Sequence, residues 1–560
     1  MHLVRNSMWL VIVAVMLNSW SCSSSDIQAD RYIAAVQSFA DRVLESGRDN
    51  FGDVKTPLFV DGMHVQSLDP GTWKGPEGDT WVLSNLASQQ PLFRLLDGLS
   101  ALTDDARYRD AAENAARYAL VHQITPNGLL YWGGHAAWDL NTESAVGNRG
   151  DIRTHELKAQ QAYFRLMWRI DPNATRQLME TIWAGHILDW SLLDYNRHSS
   201  NENEPTPPWE HAFNNQIEVP YPSLGNNLSF CNVTPVLLQS GLMLALLDNN
   251  VQALEWTRRL IYRWQEARDP KTGLSGGQLS YREFDRAQEA LGHVHPGINE
   301  AKIVATYHQT SRYHTLPLVQ MLAGEELRKI DGKFTEVGNE FIAWASDDLQ
   351  VYARNCFDEA TGKFNAMMID GTPIQWQQAK VGYYTADSFA PASPNGSLLW
   401  GYAMAWRLTR DEAHWDMLQK LFRTMELGEL GDADGSDWAL RLDTDKLDSG
   451  VLYALLDLYA ATQNKAMLQL ACRIGDNLMA MQSPSGLFPR SGREWARTGD
   501  EIPLALTHLA AAIEGKSNAM PPPVSDRQFF HAVYYGELEE HQKKRADERT
   551  YDSYVYYGSQ

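Results

Sequence analysis

The chain has 560 residues, 44% of them hydrophobic and 21% charged, which supplies a large apolar core and excludes wholesale disorder. With 49 Lys and Arg against 70 Asp and Glu, the net charge is −21; that excludes a nucleic-acid surface but leaves room for a polyanionic substrate where basic side chains gather in one cleft. Beyond the N-terminus no apolar run approaches the ~20 residues that span a bilayer.

Residues 1–22 read as a signal peptide, with Arg5 ahead of an apolar stretch from Met8 to Leu17. Cys22 follows Ser19-Trp20-Ser21 and precedes three serines, which also resembles a bacterial lipoprotein processing site. The expected location is therefore export, either to the periplasm or to the outer membrane as a lipoprotein, with that lipid as the sole membrane contact. The remaining cysteines, Cys231, Cys356 and Cys472, are odd in number and scattered, so they form no disulfide framework and are expected as buried small hydrophobes.

Residues 30–514 read as the catalytic domain, built of paired helices. Apolar residues at spacings of three and four predict helices over 90–102 and on to 123, 236–247 with 251–267, 398–408 with 412–425, and 451–461 with 465–481. After the second helix of several pairs comes a turn carrying Gly128, Gly273, Gly362 or Gly486. Each is expected to stop its helix in the left-handed conformation. The uneven spacing of these turns suits a closed ring of hairpins with irregular inserted loops, an all-α (α/α) toroid, rather than an open solenoid. The Asn-, Pro- and Ser-rich stretch 196–234 is one such insert. Residues 515–560, with Pro521-Pro522-Pro523 and four late tyrosines, form a C-terminal extension, expected to be mobile rather than a strap over the ring.

The chemistry gathers between residues 132 and 198. His135 follows Trp132-Gly133-Gly134 on a tight loop. His155-Glu156 is expected in the first turns of a helix running to Trp168, with the Glu156 carboxylate near solvent, and Arg197-His198 at the end of a helix that begins near Ala174. No second histidine lies four residues after His155, which excludes the zinc-protease helix. His135, Glu156 and His198 offer two imidazoles and one carboxylate. That set suits a borderline divalent metal such as Mn, Ni, Co, Fe or Zn, and suits Ca poorly. Three protein ligands leave positions open for a substrate oxygen. Arg197 is free to face substrate beside a ligand. Arg149, Arg153, Lys158, Arg165 and Arg169 add local positive charge against the acidic whole. Arg149, Arg153 and Trp132 are candidate substrate contacts. So is Lys302, which follows a second basic cluster with His293 and His295.

The spacing of His135, Glu156 and Arg197-His198 resembles the family 2 polysaccharide lyases, which are pectate lyases. Leu58-Phe59-Val60-Asp61-Gly62 and Trp81-Val82-Leu83-Ser84-Asn85 resemble that family too. The resemblance implies an (α/α)7 barrel, with His135, Glu156 and His198 as ligands of a transition metal, manganese first. It also implies Arg197 as the base that removes the C5 proton of a 1,4-linked polygalacturonate or oligogalacturonide, giving a 4,5-unsaturated product by β-elimination. Arginine is an unusual base, because its guanidinium ordinarily stays protonated far above neutral pH, but that proton affinity matches a weak carbon acid. Two other readings compete. One is a toroidal glycoside hydrolase or unsaturated-uronyl hydrolase using paired carboxylates drawn from Asp97, Asp139 and Glu300. The other is a glycan-binding lipoprotein without turnover.

Overall fold

The computed structural model describes residues 28–524 except 75–78, 148–151, 158–160, 205, 225–227, 283–287, 290–291, 294–295, 308–310, 375–383, 385–387 and 490–493, together with short strands at Leu538–Glu539 and Lys544–Arg545. The signal peptide with Cys22, Arg149, Lys158, His295 and most of the C-terminal extension lie outside the described residues.

Fourteen α-helices stand among the described residues: α1 (Asp30–Ser46), α2 (Gln90–Thr103), α3 (Ala106–His122), α4 (Phe164–Ile170), α5 (Pro172–His186), α6 (Thr234–Asp248), α7 (Val251–Glu266), α8 (Leu316–Leu327), α9 (Lys333–Cys356), α10 (Gly396–Thr409), α11 (Glu412–Thr424), α12 (Ser449–Thr462), α13 (Lys465–Met479) and α14 (Glu501–Ile513). They form seven pairs. Six are consecutive hairpins, and the seventh joins α14 to α1, closing the ring. Tyr32 on α1 seals that closure by donating to Asp476 and to the Cys472 carbonyl on α13.

Sequence separates the two layers. Outer helices bury one stripe, as α1 does with Tyr32, Val36, Phe39 and Val43. Inner helices touch neighbours on both sides and the outer layer behind them, so α10 is buried continuously from Gly396 to Trp406. Cys231, Cys356 and Cys472 are buried, and no disulfide joins them.

The turns sort themselves between the two ends of the ring. At one end the inner-to-outer turns are tight. α2, α6, α10 and α12 each end on a left-handed residue, namely Asp104, Asn249, Arg410 and Gln463, with φ of 53–58°. The next residue, Asp105, Asn250, Asp411 or Asn464, caps the following helix with its side chain. The four turn glycines therefore do not stop helices, as their position in the sequence suggests. The helices before them end at Gln123, Ala267, Phe357 and Ala480, none of them left-handed. The glycines, with φ of 68–94°, instead close tight loops five or six residues further on and send the chain back over the opposite end. That end carries all the long connections, including 123–163 and 187–233.

Of the small sheets in those connections, two build the site. One has four antiparallel strands in sequence order: β1 (Thr72–Lys74), β2 (Thr80–Ser84), β3 (Ala136–Asp139) and β4 (Ser144–Gly147). The other pairs β5 (Thr154–Glu156) antiparallel with β6 (His198–Ser200). The helices expected over these last residues are absent: α4 begins only at Phe164, and α5 ends at His186. The start of the C-terminal extension packs on the ring, with Pro521 and Met520 against α2 beside Gly98. Among the described residues no helix is long and apolar enough to cross a membrane.

Candidate metal centre

The β5–β6 pairing sets Glu156 directly opposite His198, and His155 opposite Ser199. Successive side chains on a strand point to opposite faces. Glu156 and His198 thus share one face, and His155 turns to the other. The backbone beside them is pinned where the Leu157 N–H donates to the Arg197 carbonyl at 2.8 Å and the Asn201 N–H to the Arg153 carbonyl at 2.7 Å.

His135 arrives from the other sheet, just before β3. Its loop is held from both sides. The Asn85 side chain donates to the Gly133 carbonyl at 3.0 Å and accepts from the Gly133 N–H at 3.2 Å. Asn85 is fixed in turn by Asp61, which accepts from the Asn85 N–H at 2.8 Å. Gly133 also bridges to Glu156, and its φ of 102° is a conformation glycine takes without strain. The two stretches around Asp61 and Asn85 thus act on the site by positioning.

Three side chains converge. His135 Nε2 lies 3.1 Å from His198 Nε2 and 3.7 Å from Glu156 Oε2, and His198 Nε2 lies 3.5 Å from Glu156 Oε1. Ligand atoms about 2.1 Å from one ion stand roughly 3.0–3.4 Å apart in octahedral or tetrahedral geometry. These edges suit a single transition-metal ion, and two nitrogens with one carboxylate are the donors such an ion prefers. Among the described residues this is the one group of three His, Cys, Asp or Glu gathered closely enough to hold a metal. Glu156 is buried rather than near solvent, with its side chain 2% exposed, while His135 and His198 are 17% and 27% exposed. Arg197 Nε lies 3.4 Å from Glu156 Oε1, and its side chain is 27% exposed. The four residues read from the sequence therefore stand together.

Other expectations fare differently. Trp132 is fully buried, which leaves no ring face for a sugar, and its indole N–H donates to His155 Nε2 at 2.8 Å. His155 is itself buried, with both ring nitrogens engaged, and cannot reach a substrate. Two described members of the basic run turn to other partners. Arg165 pairs with Glu326, and Arg169 with Asp97 and Glu113. Arg153 stays exposed at the end of β5. Lys302 is half-buried in a 3₁₀ turn (Glu300–Lys302), and no contact joins it to the three ligands. His293 is exposed.

Of the carboxylates a hydrolase would draw on, Asp97 and Asp139 are committed elsewhere, and Glu300 is fully buried in the 3₁₀ turn. Asp97 is bound by Arg109, Arg169 and Tyr163; burial pushes its carboxyl up, but these hydrogen bonds outweigh burial and hold it below the usual range. Asp139 accepts from the Val82 N–H and from Thr142, bracing β2 against β3. His186 is absent from the sequence reading. It is fully buried at the end of α5, between His155 and the Asn196 carbonyl.

The chain is 26% identical over 537 residues to a pectate disaccharide-lyase of Dickeya dadantii (strain 3937), covering 90% of this chain and 94% of that one. Among solved structures it is similar to a cellobiose 2-epimerase from Spirochaeta thermophila DSM 6192, with a TM-score of 0.43 and 14% identity over 80% of this chain and 98% of that one. It is also similar to a GH76 α-mannanase of Bacteroides thetaiotaomicron, with a TM-score of 0.39 and 12% identity over 87% and 96%. The family model described as periplasmic pectate lyase matches residues 56–533, a span that includes His135, Glu156, Arg197 and His198, and the chain belongs to that family.

Proposed function

We propose that this pectate lyase cleaves 1,4-linked polygalacturonate, or oligosaccharides of it, at the His135–Glu156–His198 centre, with Arg197 as the base. One observation carries the reading: two imidazole nitrogens and a buried carboxylate meet within 4.8 Å of one another, with an arginine 3.4 Å from that carboxylate. A divalent cation bound there, Mn²⁺ in our reading and Ni, Co, Fe or Zn next, supplies positive charge against the uronate carboxylate beside C5, where negative charge develops.

The protein does the rest. Glu156 holds its position on β5 and offers one oxygen toward each histidine. Arg197 takes the C5 proton on a guanidine nitrogen. The C5–H electron pair forms the 4,5-double bond, the C4–O bond breaks, and the departing O4 collects a proton from solvent water. Burial of Glu156 keeps water from competing for the carboxylate. Arg153, exposed just before β5, is proposed to meet a neighbouring uronate. Family membership supports action in the periplasm; anchoring through Cys22 is a further proposal, tested by labelled fatty-acid incorporation.

The direct test is incubation with polygalacturonate, followed by ultraviolet absorbance of the unsaturated product. Chelation should abolish the signal, and Mn²⁺ should restore it better than Ca²⁺. Full activity in metal-stripped protein, or new reducing ends without that absorbance, overturns the reading.

A further inference from the structure

Behind the centre runs a chain of hydrogen bonds whose direction is fixed by chemistry. Indole Nε1 only donates. Trp132 Nε1 lies 2.8 Å from His155 Nε2, so His155 Nε2 accepts and the His155 proton sits on Nδ1. His155 Nδ1 lies 2.8 Å from His186 Nε2, which must then accept, and the His186 proton sits on its own Nδ1. That nitrogen lies 2.8 Å from the Asn196 carbonyl, an acceptor. Three donors thus meet three acceptors, with none left over. Trp132, His155 and His186 are fully buried. Each ring accepts through Nε2 and donates through Nδ1, so the geometry itself requires both rings to be neutral.

Three members lie close in sequence to the centre. Trp132 precedes Gly133, which bridges to Glu156. His155 precedes Glu156 on β5. Asn196 precedes Arg197, and its side-chain oxygen accepts from the His198 N–H at 3.0 Å. His186 grips Asn196 twice, since its backbone carbonyl also accepts the Asn196 N–H at 2.9 Å. Three separate stretches, which bring in His135, Glu156 and Arg197-His198, are tied by one buried line.

We propose that Trp132, His155 and His186 are positioning residues, a one-way hydrogen-bond relay that fixes Asn196 and so sets Arg197 and His198 against Glu156 before metal or substrate arrives. A preset donor set loses less freedom when an ion binds, and partners outside the ligands themselves are commonly worth 10–100-fold in metal affinity. The inference rests on the metal-centre reading above.

The test uses full-length metal-free protein and Mn²⁺ as the probe, with binding followed by calorimetry or by the free Mn²⁺ spin resonance signal. Trp132→Phe keeps a buried ring and removes one donor. His186→Phe removes both contacts, and His186→Gln restores one acceptor and one donor. Trp132→Phe should weaken Mn²⁺ binding roughly ten-fold and lower kcat more than KM, with Tm lowered by only a few degrees. His186→Phe should do more, and His186→Gln should recover part of the loss. If wild type binds no Mn²⁺, the metal-centre reading falls, whatever the variants do. If wild type binds and Trp132→Phe stays within two-fold in both Mn²⁺ affinity and kcat, the relay has no positioning role. Should His186→Phe fail to fold, Trp132→Phe alone decides.

Discussion

Arg197 and His198 are neighbours in the chain, yet both face the same oxygen of Glu156, at 3.4 and 3.5 Å. That shared carboxylate separates two readings of the arginine. A purely structural Arg197 holds a charge beside Glu156, and lysine would replace it at small cost. A base must set one nitrogen of a rigid fork against the C5 proton, and lysine carries a single point-like ammonium on a flexible stem. Arg197→Lys should therefore keep Mn²⁺ affinity and Tm near wild type while kcat falls by about 10³-fold or more, with KM within a few-fold, because the proton contact forms only in the transition state. Steady-state kinetics beside a metal titration reads both quantities. Turnover within a few-fold of wild type removes Arg197 from the base role. That His135, Glu156, Arg197 and His198 would gather in one place was legible from residue type and spacing. The relay behind them was not. Nothing in the sequence distinguishes a buried neutral histidine such as His186 from a surface one, and Trp132 beside a site invites a stacking role that its burial denies.

At the scale of elements, legibility followed periodicity. The helices run for several turns, so their apolar stripes declare them, and the hairpin partners fell within a few residues of where periodicity puts them. Strands β5 and β6 have three residues each, with polar side chains pointing both ways at the mouth of the ring. No stripe marks them, and Thr154-His155-Glu156 before a true helix reads as its first turn. The turn glycines were legible as turns but were assigned the wrong task, because the left-handed caps fall on Asp104, Asn249, Arg410 and Gln463 at the other end of the ring. The loop task has its own signature. Gly486 has φ of 90°, and a Cβ there would stand 2.7 Å from Ser38 Oγ and 2.8 Å from the Ser38 carbonyl. Gly515 has φ of 69° with nothing within 4 Å. Gly515→Ala should cost only the left-handed strain, about 1 kcal/mol. Gly486→Ala should cost about 2–4 kcal/mol, since the backbone of α1 must also yield. Denaturation midpoints of the two variants give the comparison, and equal losses would mean that the contact with α1 adds nothing.

Across the whole molecule, the ring buries histidines as neutral packing groups, and this ties stability to pH. Desolvation is the leading cause in each case: it takes His186 down to about 3, His414 and His508 to about 4, and His155 far below the ordinary 6.5. In the folded state these rings carry no proton between pH 7 and 5.5, whereas in the unfolded chain they gain one as pH falls through 6.5. The unfolded state then binds more protons, so stability rises with pH and is lost as pH falls through this window, by up to about 1.4 kcal/mol per pH unit for each fully responding site. Buried carboxyls such as Asp194 and Asp457, pushed up mainly by desolvation, act in the opposite sense. A difference measurement isolates one histidine. His414 lies between α9 and α11, bonded to Ser346 at 2.6 Å, far in sequence from the metal ligands, and glutamine keeps a polar partner for that hydroxyl. In chelator, the stability of His414→Gln should fall less steeply than that of wild type from pH 7 to 5.5, so the two urea-denaturation curves of stability against pH should converge as pH drops. Parallel curves would show that His414 takes up no proton on unfolding and that burial in this ring does not hold it neutral.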